Sequence, residues 1–170
     1  MDKLTALITN ILSKVLIVLM SVMVLDVSWQ VFTRFILQDP SSFTEELAGF
    51  LLIWIGLLGS SYALYTKAHL GIDILTARLD SAKKRITAIL ISGIVILFSL
   101  FILVIGGIRL VSITLTLYQI SPAMGIPMGY VYMVLPLTGF LMIYYALELI
   151  IRSINQTTES GSEKEIRMVD

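Results

Sequence analysis

No cysteine occurs among the 170 residues. That absence excludes a disulfide framework, a cysteine-ligated metal and a thiol redox enzyme. Histidine occurs once, as His69, which excludes a bis-histidine haem site. Charge is scarce, at 14% of residues against about 25% in ordinary soluble domains. The 12 basic and 12 acidic side chains cancel, so nothing points to a nucleic-acid partner. Apolar side chains, by contrast, make up 57% of the chain, and the mean hydropathy is +0.92. A water-soluble domain of this size cannot bury that much apolar surface, so lipid must be part of the solvent.

A membrane-crossing helix needs about 20 mostly apolar residues. Four stretches qualify, over about residues 4–36, 44–66, 86–110 and 130–151, and no soluble domain fits between them. The N-terminal run resembles a secretory signal but is too long and has no small-x-small cleavage site, so it is read as a retained helix. The expected fold is an all-α integral membrane protein, with residues 1–152 as a single four-helix domain. Residues 153–170 are polar and are expected to form a flexible tail.

Lysine and arginine set the expected orientation. Lys3 and Lys14 precede or open the first helix, and Lys67, Arg78, Lys83, Lys84 and Arg85 crowd the loop between the second and third. Arg152, Lys164 and Arg167 follow the fourth. The opposite side holds only Arg34 and Arg109, which predicts both termini and the middle loop on the cytoplasmic side. In that loop Leu75, Leu79, Ala82 and Ile86 fall at helical spacing, which predicts a short amphipathic helix on the inner leaflet; a solvated connector is the alternative.

Few residues could carry chemistry. Glu45 and Glu46 open the second helix, and Ser42-x-x-Glu45 reads as a capping box in the dipole's favoured first turn. The other reading of the two acids is a polar contact, to a partner protein or to Arg34 across the short loop. Asp26 lies 12 residues beyond Lys14, about 18 Å along a helix and so near the bilayer midplane. An ionised aspartate at that depth is costly unless paired or wet. It is either protonated or hydrogen-bonded within the bundle, or it meets a polar group on another subunit. Gly49, Gly56, Ser60 and Ala63 recur along one side of the second helix, with Gly59 beside them, a small-residue face of the kind that lets helices approach in lipid. Trp54 sits mid-helix on a different face, against another helix or against lipid. His69 and Asp73 are four residues apart in the inner loop, with no metal cluster around them. Pro122 and Pro127 suit a helix start, and Pro136 should kink the fourth helix. Arg152 follows Glu148 by four, a favourable pair. Nothing resembles a nucleophile–base pair, a phosphate-cradling loop or a ligand cluster. The residues therefore predict a membrane scaffold that needs a partner, and not an enzyme.

Four motifs in order carry a family resemblance: Arg34-Phe35 closing the first helix, Phe43-Thr44-Glu45-Glu46 opening the second, His69-x-x-x-Asp73 after it, and the run from Pro122 to Pro127 before the fourth. In this order they resemble the DctQ-type small membrane subunit of tripartite ATP-independent periplasmic (TRAP) transporters, over about residues 15–151. Phe35 and Phe43 stand where that family often has tyrosine and tryptophan. The resemblance implies a bacterial inner-membrane subunit that pairs with a separate large membrane subunit and works with a periplasmic substrate-binding protein. It implies import of organic acids, of the dicarboxylate or sialic acid class, driven by sodium. The sodium and substrate sites would lie on the large subunit, an elevator that this chain braces, and no cofactor is expected here. Asp26, Arg34, Glu45, Glu46, Gly49, Trp54, Gly56, Ser60, His69, Asp73 and Pro127 are then expected to form the partner interface or the structural motifs. The rival is a self-sufficient four-helix transporter or exporter, for which Asp26 would have to serve as the working carboxylate.

Overall fold

The computed structural model describes residues 2–39, 41–66 and 81–166, with side chains over 3–39, 41–66 and 86–154. It is helical throughout apart from short connections. Helix α1 (Asp2–Phe32) runs into a π-helical turn (Thr33–Leu37) and reverses through Gln38, which takes the left-handed conformation. Helix α2 spans Ser42–Tyr65. Helix α3 (Ser81–Phe98) continues through a π-helical segment (Ser99–Gly106) into α4 (Gly107–Thr116). A hairpin-like connection leads to α5 (Met128–Tyr132) and α6 (Val134–Ile166).

Four helical stretches are long and apolar enough to cross a membrane: Lys3–Leu37, Ser42–Tyr65, Ile86–Thr116 and Met128–Ile154. They coincide with the four expected spans, and each runs longer, the second by a single residue. No proline interrupts residues 2–37, 81–116 or 137–166, so nothing local stops those helices at the hydrocarbon edge. Accordingly α6 continues past the expected end at 151 to Ile166. Pro136 acts earlier than a simple kink would. Its ring opposes the carbonyl four residues back, at Tyr132, and the helix breaks at Met133 between α5 and α6. The amphipathic helix expected in the middle loop falls mainly on residues outside those described.

Each helix buries one side. Along α1 and into its π-helical turn the buried positions recur every seventh residue (Thr5, Leu12, Asp26 and Thr33, with Leu19 half-buried), the seam of a helix packed nearly antiparallel on one main neighbour. That neighbour is α2, whose Thr44, Leu51 and Leu58 keep the same period. The other side of α2 packs on α6, and α6 in turn packs on α3 and the π-helical segment. The spans thus stand in the order α1, α2, α6, α3. The core lies on both sides of α2 and α6, where Leu12, Leu58, Leu64, Val134, Tyr145 and Ala146 meet. Helix α1 is an outrider: only 6% of its most apolar stretch is buried.

Glycine marks the tightest approaches. A Cβ on Gly107 would lie 2.9 Å from Leu135 Cβ and from Pro136 Cδ, and one on Gly139 would lie 2.7 Å from Val104 Cγ2. On Gly129 it would meet the Leu115 side chain. At Gly107 and Gly139 the opposing atoms include backbone, so a larger residue fits only if the main chain moves; at Gly129 the Leu115 side chain would have to turn away.

Candidate partner-binding site and its outer latch

The site is built at the end of α2 where Ser42 stands. Helix α2 begins one residue earlier than a capping box requires: Ser41 holds the N-cap position and makes no side-chain cap bond, and Ser42 is already helical. The capping box expected from Ser42 and Glu45 therefore does not form. Thr44 Oγ1 instead donates to the Ser41 carbonyl at 2.9 Å, and Glu45 is left exposed.

Glu46 has a different task. Its carboxylate accepts a hydrogen bond from the Ser121 hydroxyl. It also accepts from the Ala123 amide, at 3.2 Å on Oε1 and 3.1 Å on Oε2, and from the Met124 amide at 3.2 Å. One carboxylate thus gathers three donors from a turn more than 70 residues away. The turn is itself well built. Ser121 donates its amide to the Ile126 carbonyl and Gly125 to that of Ser121, both at 2.9 Å, while Met128 donates to Gln119. Ile120 and Pro127 pair as a short antiparallel bridge. Gly125 takes φ +68°, which glycine adopts without strain, and Tyr118 takes φ +50°, which a residue with a side chain seldom does. Pro127 lies at the N-cap of α5, at the helix start expected of it, whereas Pro122 sits inside the latched turn and starts no helix. A groove of about 370 Å³ lies over the latch, walled by Ser42, Glu45, Glu46, Pro122 and Ala123.

Two turns along α2, Trp54 reinforces the same junction. Its indole Nε1–H donates to the Val131 carbonyl at 3.0 Å, in the last turn before the break at Met133. Between the two readings of Trp54, contact with another helix is the one observed. Replacing Trp54 by phenylalanine keeps most of the packing and removes one hydrogen bond. The expected loss is about 1 kcal/mol, seen as a drop of a few degrees in the melting temperature of the purified chain.

The small-residue face of α2 is open. A Cβ added to Gly49, Gly56 or Gly59 would meet nothing within 4 Å, so no helix among the described residues packs there. Ser60 turns its hydroxyl back to the Leu57 carbonyl at 2.7 Å. Asp26 lies on the buried seam of α1, 7% exposed, and its Oδ2 has no hydrogen-bond donor. Arg34 lies exposed in the π-helical turn and forms no ion pair with Glu45 or Glu46; among the described residues the ion pair is between Arg152 and Glu148. His69 and Asp73 lie outside the described residues. The structure thus joins Glu46, Trp54 and Pro127 in one corner and leaves Gly49 and Gly56 on an uncovered face. It keeps Asp26 and Arg34 apart from both. Sequence reasoning missed Ser121, Ala123 and Met124 because two of the three act through backbone amides, which every residue has. It also missed Gly107, Gly129 and Gly139, which resemble any other helical glycine until their neighbours are known.

Four apolar crossings, polar groups spent on latching the chain to itself and a bare small-residue stripe define a multi-pass membrane subunit. Residues 23–156 match the family of tripartite ATP-independent periplasmic transporters, DctQ component, and the chain belongs to that family. It is 33% identical over 107 residues to the C4-dicarboxylate TRAP transporter small permease protein DctQ of Rhodobacter capsulatus, covering 61% of this chain and 45% of that one. It is 29% identical over 141 residues to the sialic acid TRAP transporter small permease protein SiaQ of Vibrio cholerae, covering 83% and 80%. It is 26% identical over 115 residues to the sialic acid TRAP transporter permease protein SiaT of Haemophilus influenzae, covering 68% of this chain and 18% of that one. The chain thus spans about half of the Rhodobacter relative and most of the Vibrio one. These relatives are transporter permease proteins, and the chain is a transporter subunit, not an enzyme.

Proposed function

We propose that this chain is the bracing subunit of a sodium-driven importer of organic acids in a bacterial inner membrane, with both termini cytoplasmic. It pairs with a larger permease chain that carries the substrate and sodium sites, and a periplasmic binding protein supplies the substrate. The names of the relatives favour a dicarboxylate or a sialic acid as cargo. That the alignment with the Haemophilus permease protein covers only 18% of that protein favours a larger partner. The observation that carries the reading is the open face of α2. Gly49 and Gly56 lie exposed and Gly59 half-buried, with no described residue within 4 Å of an added Cβ, a surface on which a partner helix can approach closely. Arg34, Glu45 and the groove above Glu46 would lie at the outer rim of that contact. Asp26, buried on the α1 seam with an unmet acceptor oxygen, would hold a proton or take a donor within the bundle.

The test is reconstitution into proteoliposomes with an inward sodium gradient and the periplasmic binding protein present. Uptake is expected from this chain together with its large partner, and none from this chain alone. Gly56→Leu is expected to abolish co-purification of the partner while leaving the helical content of the isolated chain unchanged. Sodium-dependent uptake by the isolated chain would overturn the proposal.

A further inference from the structure

At the end of the bundle opposite the latch, where α2 stops at Tyr65, a cavity of about 260 Å³ opens between α2 and α6. Its walls are Tyr65, Thr66, Tyr145, Glu148, Leu149 and Arg152. Glu148 is the unusual member. Its side chain is 4% exposed, and one carboxylate oxygen, Oε1, takes a hydrogen bond and ion pair from Arg152 at 2.6 Å. The other, Oε2, is buried with no donor. A buried carboxylate oxygen left without a donor is an unmet demand for an N–H or O–H group. The neighbouring side chains do not meet it. Tyr145 shares its hydroxyl with Thr9 at 3.2 Å, and the Tyr65 ring lies under the Arg152 guanidinium, 5.8 Å from ring centre to Cζ. Arg152 itself is 49% exposed beside the cavity.

Acceptor and cation therefore stand side by side at the level where the apolar part of α2 ends. Along α6, Leu147 and Ile151, neighbours of Glu148, are exposed, an apolar surface of the kind that faces acyl chains. We propose that this cavity holds the headgroup of an aminophospholipid, its ammonium N–H donating to Glu148 and its phosphate against Arg152, with the acyl chains along α6. The volume suits a phosphoethanolamine group, and the pairing of opposite charges suits a zwitterion. A quaternary choline headgroup has no N–H to offer and cannot satisfy the carboxylate. An ammonium donor to a carboxylate gives a stronger bond than the hydroxyl of a glycerol headgroup does.

The experiment uses the purified full chain, stripped of lipid and titrated in native mass spectrometry with phosphatidylethanolamine, its mono- and dimethylated forms, phosphatidylcholine and phosphatidylglycerol. Phosphatidylethanolamine is expected to be retained about tenfold more tightly than phosphatidylcholine, the difference of one charge-assisted hydrogen bond, with the methylated forms between them. Soluble glycerophosphoethanolamine separates the two sources of the headgroup. Binding of the soluble compound without retention of the lipid would overturn the assignment to a phospholipid. Glu148→Gln, with its helical content checked, is expected to erase the preference, whereas Glu45→Gln at the other end keeps it. Equal retention of ethanolamine and choline lipids by the unaltered chain would overturn the proposal whether or not the variant folds. So would stronger retention of phosphatidylglycerol, or a Glu148→Gln chain that keeps the preference.

Discussion

Replacing Glu46 by alanine is expected to release the turn at residues 121–124 from α2. The carboxylate is the shared acceptor for the Ser121 hydroxyl and the Ala123 and Met124 amides, and alanine offers none. Among the described residues the turn has no other anchor of that kind to α2, and it carries strain at Tyr118, where a left-handed residue with a side chain costs about 1–2 kcal/mol. Once unlatched, the connection can relax that strain and move away from the helix. Amide hydrogen exchange at Ala123 and Met124 should then speed up by at least about tenfold, while exchange in the middle of α2 stays slow. Glu46→Gln keeps one acceptor oxygen and should fall between the two. If exchange at Ala123 and Met124 is the same in the alanine variant, the turn holds itself and the latch is incidental. Within the proposed assembly, the alanine variant should also recover less of the large partner on co-purification.

Gly139→Val should produce the largest loss of stability in the isolated chain. The first added atom would fall 2.7 Å from Val104 Cγ2, 3.0 Å from Leu103 Cβ and 3.1 Å from the Val104 backbone nitrogen. Two of those atoms belong to or sit on the π-helical backbone, which cannot swing aside as a flexible side chain would. Overpacking of this kind costs about 3 kcal/mol, which for a chain of this length lowers the melting temperature by roughly 6–12 °C. The matched control is Gly56→Ala on α2. There a methyl group meets nothing, and the gain in helix propensity is up to about 1 kcal/mol, so the isolated chain should melt at the same temperature or slightly higher. Thermal melts of the two variants in detergent decide the matter. A Gly139→Val chain as stable as the unaltered one would mean that the π-helical segment and α6 are less tightly joined than their spacing indicates.

The contrast between these glycines shows what the amino-acid sequence can and cannot reveal. Hydropathy over twenty residues is a property of one segment, so all four crossings and their order are legible. Glu46 and the Ser121–Met124 turn are also each visible, as a helix start and as a proline-rich loop, and both belong to the motifs that carry the family resemblance. Their union is not visible, because it joins positions far apart through backbone amides that no residue type announces. The capping box at Ser42 failed by a single position, since Ser41 and Ser42 are equal candidates until the chain direction into the helix is known. Glycine spacing singled out Gly49 and Gly56 on α2, and those are open among the described residues, while the tight backbone approaches lie at Gly107 and Gly139. A small residue records that something comes near, without recording whether it belongs to the same molecule.

The π-helical segment at Ser99–Gly106 has a consequence for how the third crossing must be treated as a unit. Successive residues of an α-helix are rotated by about 100°, and the wider winding here lets α3 and α4 present their contacts to α6 from opposite sides of an off-beat interval. Excising one residue from this interval would leave an uninterrupted α-helix that still crosses the bilayer. The wider i→i+5 winding absorbs its extra residue, so that excision would leave Gly107 facing Pro136, whereas excising a residue from α3 would rotate everything beyond it by about 100° and offer Ile108 in place of Gly107. Hydropathy would be blind to that change, so the phase of this helix is a quantity the chain must conserve separately from its greasiness.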